Sequence, residues 1–315
     1  MSFSEAWSWE DVFPAIFQPT PLEFADDPGR TLRHLHSLDL YTFYLQVSSN
    51  GANEEVLCVC RFPRKPGDEA RRAAHVTRAN VLDMIREAKG TPVALYAHGN
   101  AESVHTSFAV SEFVQENLDS IYVSFEWRGY GMDESKKPRF DAQSDRCAAL
   151  LRFVSSDVGC LVLRNPVILI GYSLGCAVLL DAVEKRRRAL SDAGNDVLSH
   201  RLVVTILLAP FLSAAALVVT PSFLTDVVTH IFPPMNNARA IRSLRSDVFV
   251  VHGTGDDVIP SKHSPKLLEV FQSSVGNLPH RARLLFLRDA KHNTLLAGTN
   301  RLRVAMELQQ FMSAR

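Results

Sequence analysis

The feature that most constrains this chain is a short apolar run that ends in Gly-x-Ser-x-Gly at residues 171–175. Residues 166–170 are apolar and rich in β-branched side chains, which is typical of a fully buried parallel strand. Residues 176–180 are small and apolar and suit the first turns of a helix. A serine between such a strand and helix lies on a tight, strained turn that exposes its hydroxyl. The pattern predicts Ser173 as a nucleophile, with the amide of Leu174 pointing into the same space.

The length and composition are those of an ordinary globular protein. The chain has 315 residues, enough for one large α/β domain or two small ones. Lys plus Arg and Asp plus Glu number 34 each, so the chain has no net positive charge that would favour nucleic acid as a partner. The cysteines, Cys58, Cys60, Cys147, Cys160 and Cys176, show no zinc-ligand spacing. We expect all five to be reduced and mostly buried, and we predict no metal and no cofactor.

Several segments bear on membranes. The N-terminus carries neither a basic start nor an apolar signal core, and Ser2 stands where myristoylation needs glycine. Residues 202–225 lack charges, which on length alone suggests a membrane span, but Pro210 and Pro221 divide them. We therefore expect a cytoplasmic protein with no transmembrane span. The charged stretch 63–90 is expected to be a solvated surface, and peripheral contact with membranes stays open.

The rest of the chain alternates between strand and helix patterns. Strands are predicted at 41–47, 56–62, 92–97, 120–125, 166–170, 202–208, 247–252 and 282–287, and helices near 79–88, 103–118, 141–156, 261–274 and 297–313. This order implies a mostly parallel sheet with helices on both faces, built as one domain over residues 1–315. Residues 1–30 are expected to be irregular. Residues 213–242 interrupt the alternation and are expected to form a short cap or the wall of an acyl pocket.

A serine hydroxyl is a weak nucleophile and needs an oriented base. In a parallel α/β sheet, the partners should follow Ser173 in the order acid, then histidine, each after a strand. The loop after the strand at 247–252 supplies the adjacent Asp256 and Asp257. His292 follows the last strand, and an imidazole of pKa about 6.5 suits proton transfer at neutral pH. The pattern predicts His292 as the base but does not decide which of the two aspartates is the acid.

The second amide for a developing oxyanion is expected in the loop after an earlier strand, which runs from His98 to Glu102. Gly99 permits a tight turn that would place the amide of Asn100 near the serine. His98 precedes Ser173 in the chain and so violates the expected order. We predict that His98 braces this loop and is not the base.

Taken together, these segments resemble the α/β-hydrolase superfamily. The motifs that carry the resemblance are His98-Gly99-Asn100-Ala101, Arg128-Gly129-Tyr130-Gly131, Gly171-Tyr172-Ser173-Leu174-Gly175, Ala209-Pro210-Phe211-Leu212-Ser213, His252-Gly253-Thr254-Gly255-Asp256-Asp257-Val258-Ile259-Pro260 and His292-Asn293. More narrowly, they look like the α/β-hydrolase-domain subgroup that contains protein depalmitoylases and lysophospholipid or monoacylglycerol lipases. The resemblance implies an α/β-hydrolase fold with a twisted sheet of about eight strands and a short cap. In the register of His-Gly-Thr-x-Asp, it favours Asp256 over Asp257.

The resemblance also implies a reaction. It is the two-step cleavage of a carboxylic ester or acyl thioester of lipid or acyl-protein type by Ser173, His292 and Asp256. The amides of Leu174 and Asn100 would hold the oxyanion, and no metal or organic cofactor would be required. Three alternatives stay open: a serine peptidase of the prolyl-oligopeptidase type, a catalytically idle binding protein with this fold, and acyl transfer to an acceptor other than water.

Overall fold

The computed structural model of this protein describes residues 27–49, 51–63, 74–134, 136–155, 165–192, 202–218, 235–276 and 278–314, together with Phe17, Pro19 and the short stretches 157–158 and 161–162. Several sequence predictions fall outside these residues. They are most of the irregular segment at 1–30, part of the charged stretch at 64–73, Cys160, and residues 219–234 at the centre of the predicted cap.

The described elements follow the predicted alternation. The strands are β1 (Tyr41–Ser49), β2 (Ala52–Arg61), β3 (Val93–Ala97), β4 (Ile121–Phe125), β5 (Asp157–Val158), β6 (Leu161–Val162), β7 (Val167–Tyr172), β8 (Leu202–Leu208), β9 (Asp247–Gly253) and β10 (Ala282–Leu287). The α-helices are α1 (Pro28–Ser37), α2 (Arg78–Glu87), α3 (Phe108–Leu118), α4 (Phe140–Ser155), α5 (Leu174–Asp192), α6 (Ala214–Val218), α7 (Asn237–Ala240), α8 (His263–Val275) and α9 (Gly298–Ser313). Short 3-10 turns lie at Gly131–Asp133, Ile241–Ser243 and His292–Thr294.

Within the described part of the chain, one sheet contains eight strands in the order β1-β2-β4-β3-β7-β8-β9-β10. The strand β2 pairs antiparallel with β1 and β4, and every other neighbouring pair is parallel. The predicted mostly parallel sheet is confirmed. Because β3, β7, β9 and β10 run in the same direction, the loops that follow them meet at one edge of the sheet.

Successive side chains of a strand point to opposite sides of the sheet. In this protein both sides are buried. On β7, Leu169 packs in the hydrophobic cluster shared with α2, α4, α5 and α8. Its neighbour Ile170 packs in the second cluster, with residues of α1, α3 and α9. Burial on both sides explains why the central strands have near-continuous apolar sequences. The prediction of helices on both faces is confirmed.

Three local predictions differ from the structure. Helix α1 begins at Pro28, inside the segment predicted to be irregular; Asp27 caps it by accepting from the Arg30 amide at 2.9 Å. A proline at the first helical position needs no amide donor, so the prolines there do not exclude a helix. The helix predicted from residue 103 begins at Phe108, because the preceding serine and threonine side chains form turns such as Ser103 N to Thr106 Oγ1. The pair β5–β6 was not predicted.

The cysteines of the described chain are buried free thiols at positions 58, 60, 147 and 176. Burial raises the pKa of each of these thiols. The Cys176 Sγ lies 3.1 Å from the Gly171 carbonyl oxygen, to which it donates. Cys176 therefore packs the start of α5 against β7. Among the described residues, no helix combines the length and apolar character needed to cross a bilayer.

Candidate active site

Ser173 lies on the sharp turn between β7 and α5. Its φ is +53°, a left-handed conformation that an L-residue adopts only when the surroundings enforce it. Its amide donates to the Leu208 carbonyl of the neighbouring strand at 2.8 Å. A Cβ at Gly175 would lie 2.1 Å from the Ala97 oxygen, and one at Gly171 would lie 2.8 Å from Cys176 Cα. The two glycines of the motif are therefore required by close packing on both sides of the serine.

His292 and Asp256 are joined across two loops that are far apart in sequence. The His292 Nδ1 lies 2.8 Å from Asp256 Oδ2. The other oxygen, Asp256 Oδ1, accepts from the amides of Val258 at 2.9 Å and Ile259 at 2.8 Å. The carboxylate is thus fixed by backbone donors on one side and presents its second oxygen to the imidazole.

The environment of Asp256 favours its charged form. Its side chain is 0% exposed, and burial by itself would raise the pKa of the carboxyl. Hydrogen bonds from His252 and His292 and from the two amides outweigh burial and hold the pKa well below its usual range. His252 Nε2 lies 3.3 Å from Asp256 Oδ2 and 3.0 Å from the Ile259 carbonyl. In the sequence, His252 marks only the start of the His-Gly-Thr-x-Asp motif; the structure places its ring behind the aspartate.

Asp257 has a different environment from its neighbour. Its side chain is 61% exposed and lies 3.7 Å from the Lys291 ammonium, on the solvent side of the loop. The structure therefore brings Asp256, and not Asp257, against His292. The two carboxylates are adjacent and chemically alike in the sequence, and in the structure they differ in burial.

A cavity of about 440 Å³ opens beside these groups. Ser173, Leu174, Asn100 and His292, four of the five predicted site residues, line it. The apolar part of the described lining includes Phe211, Ala214, Leu217, Met235, Val258 and Ile259, and the polar part includes Glu102 and Asn293. Phe211, Ala214 and Leu217 come from the loop after β8 and from α6. The cavity therefore offers apolar surface suited to a hydrocarbon chain and polar groups suited to hydrogen bonding.

The serine and the histidine face this common space. Among the described contacts, no hydrogen bond joins the Ser173 hydroxyl to the His292 ring, whose Nδ1 is the atom engaged with Asp256. Hydrogen bonds of this kind are often long before a substrate is bound and tighten in the reacting complex. The arrangement leaves His292 Nε2 as the ring nitrogen available for proton transfer.

The loop after β3 is held rigidly at the edge of the cavity. The Tyr130 hydroxyl donates to Asn100 Oδ1 at 2.6 Å, and His98 Nδ1 donates to the Gly99 oxygen at 2.9 Å. The His98 ring is buried and stacks on Trp127 with centroids 4.2 Å apart. Burial lowers the pKa of His98 to about 3, so the ring is neutral near pH 7. His98 thus braces the loop that carries Asn100.

Tyr172 is a functional candidate that sequence analysis missed. Its hydroxyl donates to the backbone oxygen of His292, and the two rings lie 5.8 Å apart. The residue next to the serine therefore anchors the loop that carries the histidine. The motif marks this position only as variable, so no local signal could have identified the contact.

Comparisons with known proteins agree with this architecture. A model of the "Alpha/beta hydrolase family" matches residues 94–305. Protein ABHD12B of Homo sapiens is 25% identical over 224 residues, which cover 65% of this chain and 57% of the relative. The alpha/beta hydrolase domain-containing protein aho-3 of Caenorhabditis elegans is 24% identical over 184 residues, covering 58% and 49%. This chain thus spans only about half the length of these curated relatives.

Solved structures show the same fold. The Pyrococcus furiosus esterase Pf2001 superposes with a TM-score of 0.56 at 12% identity, covering 89% of this chain and 92% of that one. A putative hydrolase from Agrobacterium vitis S4 gives 0.55 at 15% identity, covering 87% and 99%. With the family match extending over more than half of its length, this chain belongs to the alpha/beta hydrolase family.

Proposed function

We propose that this protein is a serine hydrolase that cleaves a carboxylic ester or acyl thioester through an acyl-enzyme. Ser173 is the nucleophile, His292 the general base and acid, and Asp256 the residue that orients and stabilises the imidazolium. The amides of Leu174 and Asn100 are the oxyanion donors. The substrate is a lipid or another amphiphilic acyl compound, since apolar side chains make up much of the described lining of the cavity that contains the serine.

The reaction proceeds in two steps, acylation of the serine and hydrolysis of the acyl-enzyme. His292 Nε2 takes the Ser173 proton while Oγ attacks the acyl carbon, and the carbonyl electron pair moves onto the oxygen between the two amides. The intermediate collapses, and the leaving alcohol or thiol takes the proton from His292. A water molecule then repeats the attack with the same base, which releases the acid and restores the serine hydroxyl.

One observation carries the proposal. A serine held at a φ of +53° on a strand-to-helix turn shares a cavity with a histidine that is paired at 2.8 Å to a buried carboxylate. Strain of this kind costs about 1–3 kcal/mol and persists where the surrounding structure enforces it, often at reactive positions. The esterases among the structural neighbours share the fold and do not by themselves extend their activity to this chain.

The proposal is tested with a fluorophosphonate probe and a panel of p-nitrophenyl esters and acyl thioesters of graded chain length. We expect stoichiometric labelling of Ser173 and turnover of at least one ester series. The variants Ser173→Ala and His292→Ala should lose nearly all of both signals while retaining the wild-type circular dichroism spectrum. Ser273→Ala, which alters an exposed serine on α8, is the matched control and should label normally.

The alternatives give different outcomes in the same assays. A peptidase of the prolyl-oligopeptidase type would label at Ser173 but turn over peptide anilides faster than esters. An idle binding protein would neither label nor turn over any substrate, which would contradict the proposal. If the protein transfers the acyl group to another acceptor, adding an alcohol should give a new ester and a matching decrease in free acid.

A further inference from the structure

The active-site cavity contains a carboxylate that the proposed reaction does not use. Glu102 lines the same cavity as Ser173 and His292. Its Oε2 accepts from the Gly99 amide at 2.6 Å and from the Tyr96 hydroxyl at 2.7 Å. Among the described residues, no side chain or amide donates to its Oε1. One oxygen is therefore fixed to the oxyanion loop, and the other is available to a ligand.

The charge of Glu102 is not balanced by a cationic side chain in the described lining. That lining includes neither lysine nor arginine, and its histidine, His292, is already paired with Asp256. Burial raises the pKa of Glu102 above its ordinary value, and the Gly99 amide, the Tyr96 hydroxyl and nearby His292 offset only part of that rise. Two donors on a single oxygen stabilise the ionised form. An ionised Glu102 gives the cavity a negative potential beside its apolar lining residues.

We propose that Glu102 is a specificity-determining residue that makes the cavity prefer acyl esters with a cationic alcohol part over uncharged ones, and uncharged ones over anionic ones. This inference rests on the proposed ester-cleaving function and names the charge class of its substrate. The acyl chain packs against the wall formed by Phe211, Met235 and Ile259, and the alcohol part lies towards Glu102. A quaternary ammonium or amine there is attracted, and a phosphate, sulfonate or carboxylate is repelled.

The size of the effect can be estimated from Coulomb's law. Two unit charges separated by about 6 Å in a site of effective dielectric constant about 20 interact strongly enough to change kcat/KM by about tenfold after solvent screening. Glu102 cannot easily turn away from an anion, because two hydrogen bonds hold its Oε2. Discrimination therefore appears between substrates that differ in charge and not in shape.

The experiment uses three butyrate esters of nearly equal shape: those of choline (cationic), 3,3-dimethylbutanol (uncharged) and isethionate (anionic). We expect kcat/KM to fall by about tenfold at each step of that series in the wild type. Glu102→Gln keeps an acceptor for Gly99 and Tyr96 and removes the charge. It should reduce the choline-to-isethionate ratio by at least about tenfold, and because the ratio is taken within one variant, a change in overall activity cancels from it.

The matched control is Asp257→Asn, which removes one negative charge from the exposed side of the nearby loop. It should leave the ratio within about twofold of wild type, because solvent screens an exposed charge. An equal loss of the ratio in both variants would assign the effect to general surface charge and overturn the inference. An unchanged ratio in Glu102→Gln would overturn it as well.

A binding measurement separates this inference from the proposed reaction. Hexyltrimethylammonium and hexanesulfonate are titrated into Ser173→Ala protein with and without Glu102→Gln, and binding is followed by calorimetry. Tighter binding of the cation that disappears with Glu102→Gln supports the inference even if no ester is cleaved by the wild type. Equal affinities for the two ions in the Ser173→Ala background overturn it, whatever the esters show.

Discussion

Asp256 and Asp257 differ by one position in the sequence and by their whole environment in the structure. One has a side chain that is 0% exposed and accepts from two backbone amides and His292. The other is 61% exposed beside Lys291. A buried carboxylate paired with an imidazole can stabilise positive charge there, whereas an exposed one is screened by water.

This difference predicts unequal effects of two isosteric substitutions. Asp256→Asn should lower kcat by about 10³–10⁴-fold, since the amide no longer stabilises the imidazolium or fixes the His292 tautomer. Asp257→Asn should change kcat by less than about twofold. The measurement is steady-state kinetics on the best ester of the panel, with thermal unfolding to show that both variants fold. Comparable losses at the two positions would contradict the assignment of the acid.

Glu126 is a buried acid beside the loop that follows β3. Its side chain is 1% exposed, and its oxygens lie 3.8 Å from a ring nitrogen of His98 and of His105. Within the described residues, neither carboxyl oxygen has a hydrogen-bond partner of normal geometry. Burial raises the pKa of Glu126 to about 8, against smaller opposing effects of nearby amides and the Arg146 charge. Glu126 is therefore protonated in the folded protein at neutral pH.

A carboxyl whose pKa is raised on folding binds more protons in the folded state, so its contribution to stability falls as the pH rises from about 4.5 to about 8. Relative to wild type, Glu126→Gln should gain up to about 1.4 kcal/mol in free energy of unfolding per pH unit across that window. Urea unfolding at pH 5, 6, 7 and 8 measures this difference. Effects of the histidines largely cancel, because both proteins retain them.

The control for this series is Glu116→Gln, in which the replaced carboxylate is 62% exposed and paired with Arg301. Its difference from wild type should stay constant within about 0.5 kcal/mol over the same pH range. A flat difference for Glu126→Gln as well would show that Glu126 is ionised in the folded protein at neutral pH.

At the scale of elements, the site depends on how closely α5 approaches the end of β3. A Cβ at Gly175 would lie 2.1 Å from the Ala97 oxygen and 2.4 Å from the His98 oxygen. These are backbone atoms at the end of β3 and the start of the loop that carries Asn100, so they cannot move without shifting Asn100. Helix packing and the position of the proposed oxyanion donor are coupled through this one glycine.

Gly175→Ala should therefore cost about 1–3 kcal/mol of stability by overpacking and also lower kcat by at least tenfold, about as much as a small misplacement of an oxyanion donor. Thermal unfolding and ester kinetics measure the two effects. The control is Gly29→Ala in α1, where a Cβ would meet no backbone atom but only Arg33 Nη1 at 3.2 Å and the capping oxygen Asp27 Oδ1 at 3.3 Å. That change should leave activity intact and stability within about 0.5 kcal/mol, or slightly raised.

At the scale of the whole molecule, one sheet separates two hydrophobic clusters, and β7 contributes adjacent residues to both. Leu169 is 0% exposed on one face, and Ile170 is 1% exposed on the other. Because the same strand backbone supports both sides, loss of packing on either face weakens the sheet as a unit. This is the basis for proposing that residues 1–315 form one domain.

Leu169→Ala and Ile170→Ala should each lower the free energy of unfolding by about 2–5 kcal/mol, because each leaves a cavity in a close-packed core. In both variants, far-ultraviolet circular dichroism and tryptophan fluorescence should report one coincident transition. Leu302→Ala, at a side chain 64% exposed on α9, is the control and should change stability by less than about 0.5 kcal/mol. Two separate transitions would contradict the single domain.

Most of the architecture could be predicted from the sequence, because it depends on short-range patterns. The buried strands are continuous apolar runs, and residues 171–175 dictate a tight turn through glycines that no other residue type replaces easily. The order of Ser173, Asp256 and His292 along the chain, each after a strand, follows from the parallel sheet. These features were determined by the sequence itself.

The tertiary structure decided the rest, because it depends on contacts between residues far apart in the chain. Only the folded molecule buries Asp256 and exposes Asp257, joins Tyr172 to the His292 backbone, and places Glu102 in the same cavity as the serine. Burial, the source of the shifted pKa values, is a property of packing and has no local signature. Sequence therefore determined which groups are available at one edge of the sheet, and packing determined the environment of each.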